Sequence, residues 1–337
     1  LPICINGGNK KCIIHNAKML AENEVRLPIV VAGNKVASDE VRQIFTKAKM
    51  YFTITENVMP ALNKLNVEPA REEIRKVFME KIIDAKGLGN AEELIKGILM
   101  PTPAAVLKAA RILSDGSDEE SGLGDLIVVD IGGATTDIHS IAEGEPTKGG
   151  VTTRGLEEPF AKRTVEGDLG MRYSAISLRE AAGSRKMRKY LCDVERKIDI
   201  DANCKYRVEH IKMVPTTKEE IHFDEAMAKV ATELSMERHV GTIESTHTPM
   251  GAMYTQIGKD LMEVKYMIGT GGVLVHSENP KDILKAGAFD EENPMYLKPR
   301  KAMYLIDKTY ILSAMGLLSE YYPDKAVRIM KKYLVKM

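Results

Sequence analysis

The segment Leu126-Ile-Val-Val-Asp-Ile-Gly-Gly-Ala-Thr-Thr-Asp137 constrains this 337-residue chain more than any other. Its apolar run, Leu126 to Ile131, predicts a strand covered on both faces, because a short continuous apolar stretch suits a buried strand. Asp130 falls inside that run, where an unpartnered carboxylate costs free energy. Gly132 and Gly133 lack side chains, so a turn built from them can bring backbone N–H groups close to an anion. Thr135 and Thr136 add hydroxyl donors, and Asp130 can hold Mg²⁺, directly or through water. Such a strand-turn suits a nucleotide phosphate. A Gly-Gly turn that only reverses the chain is the plainer alternative.

The order strand–Asp–x–Gly–Gly–x–Thr–x–Asp resembles the second phosphate motif of the actin-like ATPase superfamily. Two further segments fit that superfamily in the right order. Pro101-Thr102-Pro103-Ala104-Ala105-Val106 opens a helix that looks like the connecting helix of heat-shock chaperones. Met267-Ile268-Gly269-Thr270-Gly271-Gly272 resembles the adenosine motif. The resemblance implies an α/β protein with an actin-like, ribonuclease H-like ATPase fold. It places ATP or ADP with Mg²⁺ between lobes, with Asp130 near the metal and Gly132, Gly133, Thr135 and Thr136 around the phosphates. Gly269, Gly271 and Gly272 would approach the adenosine. Closure would hinge near Pro101–Ala105.

Longer runs are similar to the MutL family of glutamate-mutase operons, which is unrelated to the mismatch-repair protein of that name. They are Gly7-Gly8-Asn9, Pro28 through Asn34, Asn57-Val58-Met59-Pro60 and Asn66 through Arg71. The match continues through Asp137–Ser140, Ala142–Pro146, Lys162 through Arg172 and Gly272 through Pro280. The family implies an ATP-binding reactivating chaperone for an adenosylcobalamin-dependent mutase, of the glutamate mutase or ornithine aminomutase class. Its task would be to release damaged cobalamin, with the mutase subunits as partners. No Asp-x-His-x-x-Gly cobalamin pattern stands in the chain.

Two departures qualify that expectation. No first phosphate motif of the Asp-x-Gly-Ser or Asp-x-Gly-Thr type precedes residue 126, so the resemblance implies that the amino-terminal part of the fold is missing. Heat-shock chaperones carry a water-placing glutamate just before the connecting helix, and here that position is Met100. A methionine cannot orient water as a carboxylate does, so ATPase activity is expected to be slow. Glu166 and Asp168 are candidate catalytic substitutes; the alternative is that both are salt-bridged helix-cap residues. A non-hydrolysing mutase-binding scaffold and a small-molecule kinase of the same fold stay open as rival functions.

Lysine plus arginine (48) equal aspartate plus glutamate (48), which argues against nucleic acid or an anionic membrane as the main partner. No apolar run is long enough to span a bilayer, and a cytoplasmic location is the expectation, with a homo-oligomer allowed. Cys4, Cys12, Cys192 and Cys204 form no Cys-x-x-Cys pair, so free thiols are expected. The seven histidines show no metal-ligand spacing.

Residues 1–113 are expected to form a partial first lobe, with a strand–helix–strand unit over 28–55 capped at Ser38. Residues 114–125, acidic and poor in apolar side chains, are expected as a mobile loop. Residues 126–337 would form the second lobe. Within it, 156–190 are expected to be mostly helical, a helix to start at Asp224 and end before Gly241, and two amphipathic helices to close the chain. A short helix capped by Asn90 is expected in the first lobe.

Overall fold

The computed structural model describes residues 6–62, 64–86, 100–191, 198–249 and 251–337, with 79–86 and 248 described by backbone alone. Cys4, Cys192 and the helix expected at Asn90 lie outside the described residues. The chain divides into two compact units, residues 1–99 and 100–337.

The first unit holds α1 (Lys11–Glu22), β1 (Ile29–Val31), α2 (Ser38–Lys47), β2 (Phe52–Ile54) and α3 (Glu68–Lys86). β1 and β2 are parallel, in register Ile29 opposite Phe52, which makes the expected strand–helix–strand unit. α2 packs Val41 and Phe45 onto this pair, and Phe45 meets Phe52 at a ring separation of 5.5 Å. Ser38 does not cap α2. A 3₁₀ turn over Lys35–Ala37 runs straight into the helix, and Asn34 caps that turn by accepting from the Val36 N–H at 3.0 Å. The cap sits four residues early because Asn34, unlike Ser38, precedes the first helical turn.

The second unit opens with α4 (Thr102–Asp115) and is built on a six-stranded sheet. Its strands are β3 (Leu126–Ile131), β4 (Thr136–Ile141), β6 (Ala161–Glu166), β9 (Tyr266–Thr270), β10 (Met303–Asp307) and β11 (Leu334–Lys336), ordered β11-β10-β9-β3-β4-β6. β3, β4 and β6 form an antiparallel meander, and β9 and β10 continue parallel to β3. Both faces are covered, which is why β3 reads as an unbroken apolar run. Leu126 and Val128 face α4, α10 (Leu312–Leu318) and α11 (Pro323–Tyr333). Ile127, Val129 and Ile131 face α5 (Ala175–Lys189), α7 (Lys218–His239) and α9 (Pro280–Lys285). α6 (Ile200–Glu209) packs against α5, and α8 (Gly272–His276) follows β9 directly.

Several expectations need correction. Residues 156–190 are not mostly helical: β6 pairs residue for residue with β4, and the helix starts only at Ala175, kinked where Gly183 takes φ 69°. The β-branched Thr164 and Val165 and the bonding edge left by β4 decide for a strand. A further three-stranded sheet of β5 (Val151–Arg154), β7 (Thr242–Thr248) and β8 (Gly251–Ile257) was foreshadowed only by its threonines. α7 starts at Lys218, six residues before Asp224, through a capping box in which Thr217 Oγ1 accepts from the Glu220 N–H. The acidic stretch folds back on α11. The Ser117 hydroxyl and the Glu119 N–H donate to Asp324, and Arg328 pairs with Glu120 at 2.7 Å.

α4 and α10 cross at a glycine. A Cβ on Gly316 would fall 1.9 Å from the Ala105 carbonyl oxygen, which is backbone and cannot yield. Gly316→Ala should therefore destabilise the second unit by about 2–4 kcal/mol, against the gain of about 1 kcal/mol that alanine normally brings inside a helix. Urea unfolding measures the sign, and a stabilised variant would mean the helices do not pack this closely.

Candidate functional site

The β3–β4 connection is a tight turn closed by the Gly132 N–H, which donates to the Thr135 carbonyl at 2.9 Å. The segment after β6 then wraps it. Met171 N–H donates to the Gly132 carbonyl at 3.0 Å, Arg172 N–H to Gly133 at 2.8 Å, and Ser174 Oγ to Ala134 at 2.7 Å. Gly170 permits this approach, because a Cβ there would meet Ala134 at 2.3 Å. Three consecutive carbonyls are thus drawn to one side. In trans peptides the N–H of the next residue points the opposite way, so the amides of Gly133, Ala134 and Thr135 are turned together away from this segment. Amides oriented in this way can meet an anion.

Beside the turn, Asp130 of β3 and Asp137 of β4 stand directly opposite each other on one face of the sheet. Thr270 of β9 flanks Asp130, and its hydroxyl donates to Asp307 at the end of β10 at 3.2 Å. Asp307 also accepts the N–H groups of Ile311 and Leu312, both at 3.0 Å, and so caps α10. Burial, then the charges of Asp137 and Asp307, push the Asp130 carboxyl up to about 6. Burial raises Asp137 as well, opposed by Arg163, whose Nη2 donates to Asp137 Oδ2 at 3.1 Å. Next along the same face His139 is fully buried, and burial with Arg163 nearby pushes it down to about 3. Neither ring nitrogen of His139 has a partner, nor do Asp137 Oδ1 and Arg163 Nε. Buried polar atoms left unsatisfied are uncommon, and four in one cluster mark a place built for something besides packing.

A cavity of about 450 Å³ opens from the turn. Gly132, Gly133 and Arg172 line one side, Gly272 and Val273 another, and Met213, Val214 and Pro215 supply an apolar wall. Arg172 is fixed there by Asp224 at 2.7 Å, and Asp224 also pairs with the buried Arg207 at 2.6 Å. Glu225 accepts from Ser277 Oγ at 2.6 Å on the cavity's far side.

The residues singled out from sequence fall into three groups. Asp130, Gly132, Gly133 and Thr135 come together at the turn. The Thr136 hydroxyl instead points into the core and donates to the Leu169 carbonyl at 2.7 Å, so it is committed to the fold. Of the three glycines at the end of β9 and just beyond it, Gly272 lines the cavity, with open space where its Cβ would be. Gly269 and Gly271 answer to protein packing: a Cβ would meet Ile306 at 2.8 Å and the Ile131 carbonyl at 2.3 Å respectively. Glu166 and Asp168 both pair with Arg238, at 2.6 and 2.8 Å, and the Asp168 carboxyl is held below its ordinary range by Arg238. Glu166 ends a strand, so the ion pair is present without a helix cap. Asp137, Arg163, Arg172, Thr270 and Asp307 were not singled out. Asp307 carried a signal, since Met303-Tyr-Leu-Ile-Asp307 repeats the apolar-run-then-aspartate pattern of β3.

Among the described residues, no three His, Cys, Asp or Glu side chains could by themselves hold a metal. Mg²⁺ usually takes only one or two carboxylates and completes its shell with water and phosphate, so the Asp130–Asp137 pair, with Asp137 Oδ1 spare, is a fitting donor set. Cys12 and Cys204 are free thiols, and burial raises Cys204 to about 11. Among the described residues no helix is long and apolar enough to cross a membrane.

The sequence profile of the family described as MutL protein matches residues 4–334. The Protein MutL of Clostridium tetanomorphum is 73% identical over 332 residues, which cover 98% of this chain and 71% of that protein.

Because the folded state raises the Asp130 pKa from 3.8 to about 6, the folded protein binds the extra proton. The contribution of this group to stability therefore falls as pH rises through that window. Asp130→Asn should remove the fall and stabilise the protein at pH 7.5 by about 1–3 kcal/mol. Melting temperatures from pH 4 to 8 for both proteins test this; parallel curves would contradict it.

Proposed function

The chain belongs to the MutL family of glutamate-mutase operons, and from that premise we propose that it binds Mg²⁺–ATP as part of a reactivating chaperone for an adenosylcobalamin-dependent mutase. The observation that carries the reading is the pair Asp130–Asp137 beside a glycine turn whose Gly132 and Gly133 line a cavity. In this reading the amides of Gly133, Ala134 and Thr135 take phosphate oxygens, where oriented N–H groups meet negative charge without added cations. Asp130 and Asp137 hold Mg²⁺, directly or through water, and the metal's charge offsets the burial and the neighbouring carboxylates that together raise Asp130. The base and ribose occupy the cavity against Met213, Val214 and Pro215, over the bare backbone of Gly272. The actin-like assignment draws support from the sheet: counted along the chain, β3, β4, β6, β9 and β10 lie in the order 3-2-1-4-5, a meander continued by parallel strands.

ATP binding then acts through protein shape rather than through chemistry on cobalamin. A ligand shifts a conformational equilibrium only as far as it binds the two states differently, so the phosphates must contact something that moves. The boundary between the two units at 99/100 adjoins the Pro101–Ala105 segment, where the resemblance puts the hinge. The altered shape would be transmitted to docked mutase subunits and loosen a damaged cofactor.

A second reading has its own observation. Glu166 and Asp168, the acidic residues available to replace the glutamate absent at Met100, are both neutralised by Arg238. A carboxylate held in an ion pair is a weak general base, which favours binding without turnover, as a scaffold for the mutase.

Isothermal titration of Mg²⁺–ATP into wild type and Asp130→Ala separates these accounts when paired with recovery of an inactivated mutase. The chaperone predicts binding that falls at least tenfold in Asp130→Ala, with recovery lost alongside it. Binding without ATP consumption, and recovery indifferent to Asp130→Ala, would replace the chaperone by the scaffold. Absence of binding to either protein would remove ATP from the account.

A further inference from the structure

The nucleotide reading leaves four of the family-like runs unused: Gly7-Gly8-Asn9, Pro28 through Asn34, Asn57 through Pro60 and Asn66 through Arg71. They are scattered over more than sixty positions of sequence, yet three of them line one cavity of about 610 Å³ in the first unit, and the fourth is tied to them where Gly7 and Gly8 bond Asn34. β1 and β2 are parallel, so their carboxyl ends lie side by side, and the cavity opens just beyond them. In open α/β layers this is where ligands settle, because the loops leaving parallel strands diverge and leave a crevice.

The crevice is framed by asparagines. Asn34, 2% exposed, accepts from the Gly7 and Val36 N–H groups at 3.3 and 3.0 Å and donates to the Gly8 carbonyl at 3.0 Å. Asn6 Oδ1 accepts from the Lys35 N–H and from Asn57 Nδ2, both at 3.0 Å. Asn57 in turn accepts from the Met59 N–H at 3.0 Å. The loops after β1 and β2 and the turn before α1 are thereby locked together by side-chain amides, and Val58 N–H to Ala32 carbonyl at 3.1 Å adds a backbone tie. Plain loop stability would be served by this frame alone.

What lines the cavity beyond the frame is different in kind. The Lys35 ammonium and the Ser38 and Thr55 hydroxyls have no intramolecular partner among the described residues. Glu56 uses one oxygen to accept from Asn66 Nδ2 at 2.7 Å and keeps the other. A prebuilt cavity thus presents one cation, one carboxylate and two hydroxyls, the small set of polar groups that orients a ligand. An anion alone would face the Glu56 carboxylate, and a cation alone would face Lys35. A molecule carrying both charges satisfies both walls.

We propose that this cavity is a binding site for a small zwitterion of the free amino-acid class, with the ligand carboxylate toward Lys35 and its ammonium toward Glu56. The Ser38 and Thr55 hydroxyls then complete its hydrogen bonds. The site shares no residue with the Asp130 turn, so it stands whether or not the protein binds nucleotide.

The test is a screen of the twenty free L-amino acids against the protein by ligand-observed NMR and thermal shift, with inorganic phosphate as the purely anionic probe and putrescine as the purely cationic one. One or a few amino acids should bind, and neither of these two probes should. Lys35→Gln and Glu56→Gln, both at exposed positions, should each weaken that binding at least tenfold while leaving the unliganded melting temperature unchanged. Failure of every amino acid to bind would overturn the proposal. So would phosphate binding that ignores Glu56→Gln, which makes the cavity an anion site, or amino-acid binding that survives both substitutions, which puts it elsewhere.

Discussion

Two carboxylates facing each other across a β-ladder, deep between covered faces, are the constraint on which the second unit turns. Asp130 and Asp137 are neighbours because β3 and β4 pair in a fixed register, and a slip of one residue would send both to opposite faces. The protein keeps the pair by offsetting it locally. Arg163 reaches Asp137 from β6, while Asp307, held by two backbone amides and Thr270, still adds its charge to the rise at Asp130. Asp130 bears what remains: burial first, and then the charges of Asp137 and Asp307, push its carboxyl up to about 6. A cation with room for both oxygens removes that cost at once. In the proposed reading, this buried like-charge pair is the seat of a metal–anion ligand.

The same logic organises the turn beside the pair. Gly132, Gly133 and Ala134 surrender their carbonyls to the Met171–Ser174 segment, which is what frees the amides on the other side. The run Lys162 through Arg172 thus does two jobs. As β6 it supplies Arg163 to Asp137, and as the following loop it holds the Gly132–Thr135 turn. Arg172 extends the chain of dependence to Asp224 and Arg207, a buried triad in which removal of one member would leave an uncompensated charge. Positions far apart in sequence are held to one geometry, and the register of a single hairpin sets it.

How much of this was legible follows from where the information lies. The β3 strand, its glycine turn and the β9 turn could be read because apolar runs ending in Asp or Gly-Gly are local signals. So was the strand–helix–strand unit of the first unit. The β6 strand was misread as helix because Lys162–Glu166 is polar and short, and only the open edge of β4 makes it a strand. Asp224 looked like a helix cap because aspartate commonly is one; its real partners, Arg172 and Arg207, lie 52 and 17 positions away. Thr136 was grouped with Thr135 by adjacency, yet alternation along β4 turns neighbouring side chains to opposite faces. Gly269 and Gly271 looked like ligand glycines, and their tight contacts with Ile306 and Ile131 could be known only from packing.

The two units handle polar groups in opposite ways, and that contrast bears on what each can do. In the second unit the site's charged atoms are buried and several lack partners, so the energetic demand for a ligand is built into the fold. In the first, the buried amides of Asn34 and Asn57 are hydrogen-bonded within the frame and the lining charges reach solvent, so that unit is satisfied on its own. A site of the first kind gains stability when its ligand arrives, because binding cancels an existing cost. A site of the second kind gains only what the ligand itself contributes, and so suits a metabolite that must come and go at ordinary concentrations. Tight binding where charge is stored and loose binding where it is not would let one chain hold a nucleotide while sampling a small molecule.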